Sequence, residues 1–231
     1  MSIAENIARV RANIAAAAEE AGREASEITL VGASKMNDAE ACRAAIAAGI
    51  DALGENREQE MTKKLAEHAY DGAPLHFIGH LQRNKVKNVV GKVALIESVG
   101  SLELLAAVDK QAEKLQIVQD ILLEVNIGGE EAKSGFAPEA LAQAAQEAKK
   151  CENVRVRGLM CIPPVAEGEH GSLPYFEKVH ALFVDINAKL YDNTLDILSM
   201  GMSGDYEDAV RAGATMVRVG TAIFGARNYT N

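Results

Sequence analysis

Apolar residues follow two rhythms along this chain. Near the N-terminus Ile3, Ile7, Val10 and Ile14 recur at helical spacing with charges between them, which predicts an amphipathic helix. Eight short runs rich in Ile, Leu and Val come after it: "ITLVGAS" (28–34), "DALGEN" (51–56), "LHFIGH" (75–80), "VALIESV" (93–99), "IVQDILLEVNI" (117–127), "VRVRGLMCI" (154–162), "LDILSM" (195–200) and "TMVRVG" (215–220). Several are nearly continuous, as strands become when both faces of a parallel sheet are covered. Helical patterns separate them, among them "DAEACRAAIAAG" (38–49), "SLELLAAVDKQAEKL" (101–115), "APEALAQAAQEAKK" (137–150) and "PYFEKVHALFVDINAKL" (174–190). Eight such units predict an α/β fold, a single (β/α)8 TIM barrel with an extra N-terminal helix. A doubly wound open sheet would show the same pattern, because periodicity does not report closure. No Pro/Gly/Ser-rich linker or shift of composition divides the chain, so residues 1–231 are expected to form one domain.

Composition narrows the function. With 231 residues and 48% hydrophobic content there is ample material for a large core. A net charge of −9 and a pI near 5.1 argue against a general nucleic-acid binder. The short basic run "RNKVKN" (83–88) reads as a solvated helix face. No run of about 18 apolar residues suggests a membrane span, and the N-terminal stretch lacks the build of a signal peptide. Cys42, Cys151 and Cys161 are scattered, with neither metal-ligand spacing nor a disulfide framework. They read as ordinary thiols in a reducing cytoplasm, and no metal site is expected. The longest irregular stretch, "PPVAEGEHGSLP" (163–174), is expected to be an exposed loop with a solvated His170.

In such barrels the chemistry gathers at the C-terminal ends of the strands. Lys35 follows the first strand, Asn56 ends the second, and His76 and His80 flank the third. A lysine there would, in the simplest case, be only the first solvated residue after its strand. The stretches "SMGMSG" (199–204) and "VGTAIFG" (219–225) carry a clearer signal. They are small, glycine-containing turns after the seventh and eighth strands. Gly201, Gly204 and Gly220 permit close backbone approach, helix N-termini present N–H groups, and Ser203 and Thr221 add hydroxyls. Loops after strands seven and eight are a recurrent phosphate site in this fold, although tight βα turns alone would carry the same glycines. Arg218, inside the last strand, needs an acceptor, either a ligand nitrogen or a neighbouring carboxylate. A lysine amine, a phosphate cradle and an arginine together suggest a phosphorylated carbonyl compound. It would be a sugar phosphate, as in a lysine-dependent aldolase, or pyridoxal 5′-phosphate (PLP). Arg218 favours PLP, whose pyridine nitrogen would accept from it.

The chain resembles the YggS/PROSC family of PLP homeostasis proteins, collinearly over nearly its whole length. The resemblance is carried by "SK" (34–35), "GEN" (54–56), "HFIGHLQRNK" (76–85), "VNIGGEEAKSG" (125–135), "RGLMCIP" (157–163), "LSMGMSGDYEDAVRAG" (198–213) and "VRVGTAIFGAR" (217–227). It implies a barrel like the N-terminal domain of alanine racemases, with Lys35 holding PLP as an internal aldimine. Arg218 would face the pyridine nitrogen, and Ser203, Gly220 and Thr221 would hold the phosphate. Asn56, His76 and Met200 would line the pocket. The chain departs from the usual pattern at Met36, Asn37 and Asp38, at Arg57 and at His80. Lys133 also matches the family, yet reads from its surroundings as a solvated loop lysine.

The family implies a role in PLP supply and in vitamin B6 and amino-acid balance, without an established reaction. A carrier that delivers or buffers PLP, with apo-forms of PLP-dependent enzymes as recipients, is the leading expectation. A weak amino-acid racemase comes second and an aldolase third. Racemases place an acid/base on each face of the substrate and carry a second domain, for which residues after the eighth strand leave no room. Tyr175, Tyr191, Tyr206 and Tyr229 fall in helix-like or terminal segments. A monomer is expected for the same reason.

Overall fold

The computed structural model describes residues 1–130, 133–165, 167–168 and 170–225. Eight strands form the sheet: β1 (Thr29–Ala33), β2 (Ala52–Glu55), β3 (Leu75–Phe77), β4 (Leu95–Val99), β5 (Gln119–Val125), β6 (Val154–Cys161), β7 (Ile197–Ser199) and β8 (Met216–Val219). They pair in parallel in chain order, and β8 returns to β1 with Val31 opposite Arg218, so the sheet closes into a barrel. Closure excludes the open doubly wound sheet. The helices are α1 (Ile3–Glu20), ahead of the barrel, then α2 (Ala39–Ala47), α3 (Glu58–Ala66), α4 (Leu102–Leu115), α5 (Leu141–Ala148), α6 (Leu173–Leu190), α7 (Tyr206–Arg211) and α8 (Thr221–Phe224). After β3 the chain forms a 3-10 helix, Arg83–Asn88, in place of an α-helix. Only part of this basic run is solvated. Val86 is buried, and Lys85 Nζ lies 2.5 Å from Glu58 Oε1.

α1 starts at a capping box in which Ser2 Oγ accepts from the Glu5 amide (3.2 Å) and Glu5 Oε2 accepts from the Ser2 amide (2.7 Å). Its predicted stripe is the buried one, with Ile7, Val10 and Ile14 all in the core. Each such side chain contributes roughly 1.5–3 kcal/mol. Asn6 Nδ2 donates to the Ile223 carbonyl at 2.8 Å and Asn13 Nδ2 to Tyr206 Oη at 2.9 Å, so the helix braces α7 and α8.

Two cores result. One lies between sheet and helices. The other is a plug inside the barrel formed by Val31, Ala52, Leu95, Leu122, Met160 and Met216, with Ile197 packed against it. Side chains two apart on a strand share a face. Glu97, Glu124, Ser199 and Arg218 therefore form a polar layer next to the plug, on the side of the C-terminal mouth. The β5–β6 pairing shifts register between Ile121 and Leu122. Beside that shift Gly158 is needed for close approach, since a Cβ there would fall 1.7 Å from the Ile197 carbonyl oxygen. Among the described residues all three cysteines are free thiols, and no helix is long and apolar enough to cross a membrane.

Candidate functional site

Lys35 sits on a tight turn at the end of β1. The ladder runs one step beyond the strand, with the Ser34 amide donating to the Gly54 carbonyl at 2.9 Å. The chain then reverses over Ser34–Asn37, closed by the Asn37 amide on the Ser34 carbonyl at 3.1 Å. Lys35 takes the second place and is half-buried. Met36 takes the third with φ +63°, a left-handed conformation that costs an L-residue about 1–2 kcal/mol. Asn37 Nδ2 donates to the Lys35 carbonyl at 3.1 Å, and Asp38 Oδ1 caps α2 by accepting from the Ala41 amide at 2.8 Å. The departures at 36–38 thus build a turn and a helix start around an unaltered lysine.

Across from Lys35 lies the end of β8. A cavity of about 270 Å³ is lined by Lys35, Ala33 and Asn37 on one side and by Gly220, Thr221 and Phe224 on the other. Gly220 lies beside the Ala33 carbonyl oxygen, which a Cβ there would meet at 3.4 Å, in ordinary van der Waals contact. Ser203 Oγ accepts from the amides of Gly220 and Ala222, each at 3.2 Å. The loops after β7 and β8 are therefore joined at the first turn of α8, where N–H and hydroxyl groups converge.

Deeper in the barrel Arg218 is 3% exposed. Its Nη1 donates to Ser199 Oγ at 2.6 Å and its Nη2 to the Cys161 carbonyl at 2.9 Å. Ser199 Oγ donates to Glu97 Oε2 at 2.6 Å, and Glu97 Oε1 lies 2.8 Å from His76 Nδ1. Arg218 Nη1 is 3.9 Å from Glu97 Oε2, so a carboxylate answers the buried guanidinium. Burial pushes the Glu97 pKa up, but the His76 hydrogen bond, the charges of His76 and Arg218 and the Ser199 hydroxyl outweigh it and hold it below its ordinary value. Glu124 goes the other way. Burial raises its pKa, against the Ser134 hydroxyl 2.9 and 3.0 Å from its two oxygens.

The predicted site residues are distributed unevenly. Lys35, Gly220 and Thr221 line one cavity and Ser203 is tied to it. His76 and Arg218 are linked through Glu97 and Ser199. Asn56 lines a neighbouring cavity of about 610 Å³ with Arg57, His80 and Lys85. Its backbone is approached so closely by Gly79 that a Cβ there would fall 2.2 Å from the Asn56 carbonyl oxygen. Met200 follows Ser199 and is fully buried in the core between sheet and helices. His170, expected to be solvated, is exposed but holds Asp208 Oδ1 at 2.7 Å.

Sequence reading passed over Glu97, Ser199 and Glu55. For the two glutamates the signal was a carboxylate inside an apolar run, which demands a partner; Ser199 carried none. The residues present fit a phosphorylated aldehyde. An amine faces a cluster of anion donors across one cavity, and Asn56 Oδ1 is buried without a hydrogen-bond partner among the described residues.

Residues 6–228 match the family described as alanine racemase, N-terminal domain. The alanine racemase of Clostridium difficile, in complex with cycloserine, has the same fold with a TM-score of 0.74 at 18% identity, over 88% of this chain and 56% of that one. The fold and site thus define a barrel of the alanine racemase N-terminal class. The pyridoxal phosphate homeostasis protein of Aquifex aeolicus is 44% identical over 229 residues, covering 99% of this chain and 100% of the relative. PipY of Synechococcus elongatus, solved with PLP bound, is 31% identical with a TM-score of 0.84, over 97% of this chain and 100% of PipY. The chain belongs to the pyridoxal phosphate homeostasis protein family.

Proposed function

We propose that the protein binds PLP at the barrel mouth and carries or buffers it, contributing to vitamin B6 and amino-acid balance. The observation that carries this reading is the placement of Lys35 against Gly220 and Thr221 across one cavity. The PLP-bound relative at 31% identity supports it. PLP supplies, when bound, an aldehyde that a primary amine engages reversibly and a phosphate for the anion donors. Lys35 offers the amine, and Ser203, Gly220 and Thr221 the donors. Arg218 would serve the ring nitrogen, and Asn56 and His76 would border the ring, whereas Met200 is packed away from the mouth in the core between sheet and helices. Recipients are apo-forms of PLP-dependent enzymes, and the protein acts as a cytoplasmic monomer.

Holding is favoured over turnover for two reasons. Arginine stays protonated, so Arg218 orients a ring nitrogen without giving it a proton, which weakens an electron sink. Racemisation also needs an acid/base opposite Lys35. Among the described residues no tyrosine lines the Lys35 cavity. Tyr191 Oη instead donates to the Ala145 carbonyl at 3.1 Å, and Tyr206 Oη accepts from Asn13. Tyr229 lies outside the described residues.

Absorbance titration with PLP tests this. Lys35→Ala is expected to weaken retention at least about tenfold, a loss of about 1.4 kcal/mol, and to abolish transfer to an apo-enzyme. Wild-type retention in that variant would refute the reading, and sustained interconversion of D- and L-alanine by the wild type would replace it with the racemase.

A further inference from the structure

Beneath the Lys35 turn lies a cluster of charged groups that PLP binding does not itself call for. Glu55, at the end of β2, is completely buried. Its Oε1 accepts from Lys64 Nζ (2.7 Å), Ser34 Oγ (2.6 Å) and Tyr70 Oη (3.0 Å). Lys64, on α3, is 4% exposed; it also donates to the Ser34 carbonyl at 2.8 Å and lies 2.9 Å from Glu60 Oε1. Glu60 in turn accepts from the Met36 amide. The residue before Lys35 is thus gripped at its hydroxyl and its carbonyl, and the residue after it at its N–H.

The three ammonium protons of Lys64 meet three acceptors, Glu55, Glu60 and the Ser34 carbonyl. Burial alone would lower its pKa, but the two carboxylates raise it above the ordinary lysine value. Lys64 therefore stays a cation and does not compete with Lys35 as a nucleophile. An ion pair that served only to join α3 to the sheet would have no need of turn backbone. Here charge-assisted bonds go to that backbone on both sides of Lys35, where Met36 holds a left-handed conformation that the surroundings must maintain.

We infer that Glu55, Glu60 and Lys64 are positioning residues for Lys35, fixing the Ser34–Asn37 turn so that the lysine is presented to the cavity facing Gly220 and Thr221. The inference rests on the reading of Lys35 as the PLP anchor.

Amide hydrogen exchange on PLP-free protein, paired with PLP titration, tests it in Glu60→Ala and Glu60→Gln. Loss of a charge-assisted bond in Glu60→Ala should speed exchange across 34–37 about tenfold and weaken PLP binding by a similar factor. Exchange in the other barrel strands should be unchanged. Glu60→Gln keeps an acceptor and should restore most of both. Lys64→Met is a harsher variant, because it leaves Glu55 buried beside an apolar chain; Glu60→Ala decides without it, its carboxyl group lying nearer the surface. Unchanged exchange and unchanged affinity in Glu60→Ala, with borohydride still trapping PLP on Lys35 of the wild type, would overturn the positioning role alone. Trapping on another lysine in the wild type would instead remove the anchor, and the inference with it.

Discussion

Arg218 is a cation inside a barrel, and Glu97 makes that tolerable. A buried ion without a partner costs several kcal/mol, so removing either member should be severe. Glu97→Gln is expected to lower stability by about 3–5 kcal/mol at neutral pH, measured by urea unfolding. The pH dependence has a definite sign. The folded-state pKa of Glu97 is depressed below the ordinary value of 4.5, so its contribution is full above that value and is lost as pH falls through the depressed one. The gap between wild type and variant should therefore narrow below about pH 4.5. A gap that stays constant into strong acid would show that Glu97 is not the group that stabilises Arg218. At this scale the sequence was informative where a barrel rule applied. Lys35, Ser203, Gly220 and Thr221 sit at strand ends that the topology must bring together. Glu97 and Ser199 are 102 residues apart and meet only across the closed barrel, so no local pattern joins them.

Elements were legible in proportion to how apolar their buried faces are. The strand runs and the helices α2, α4, α5 and α6 stand out in the residue pattern, and α1 matches its predicted stripe. α3 does not, for a physical reason. Its buried positions are Glu58, Met61 and Lys64, two of them charged, so hydrophobic periodicity is silent where the structure relies on ion pairs. The same silence concealed the clamp beneath Lys35. The turn that carries Lys35 ends in the cap of α2. Asp38→Ala should remove the bond to the Ala41 amide and cost about 1 kcal/mol in chemical denaturation. Unaltered stability would mean that Asp38 is present for some reason other than capping.

For the whole molecule, closure of the sheet is what turns scattered motifs into a site. β1 and β8 are far apart in sequence, yet Val31 pairs with Arg218 and the two strand ends face each other across one cavity. α1 reinforces that seam by packing on α7 and α8, which frame the anion donors. Eight βα units pointed to a barrel, but periodicity does not report closure and left an open sheet possible. The resemblance to a known family pointed to the barrel as well, and the closed hydrogen-bond ladder accounts for it physically. The central claim is that the lysine at this seam anchors PLP, and borohydride reduction of PLP-loaded protein followed by peptide mass mapping tests it most directly. A single pyridoxyl adduct on Lys35 is the predicted result. An adduct on another lysine, or none beyond an unloaded control, would contradict the account and leave Lys35 as a rim residue that merely follows its strand.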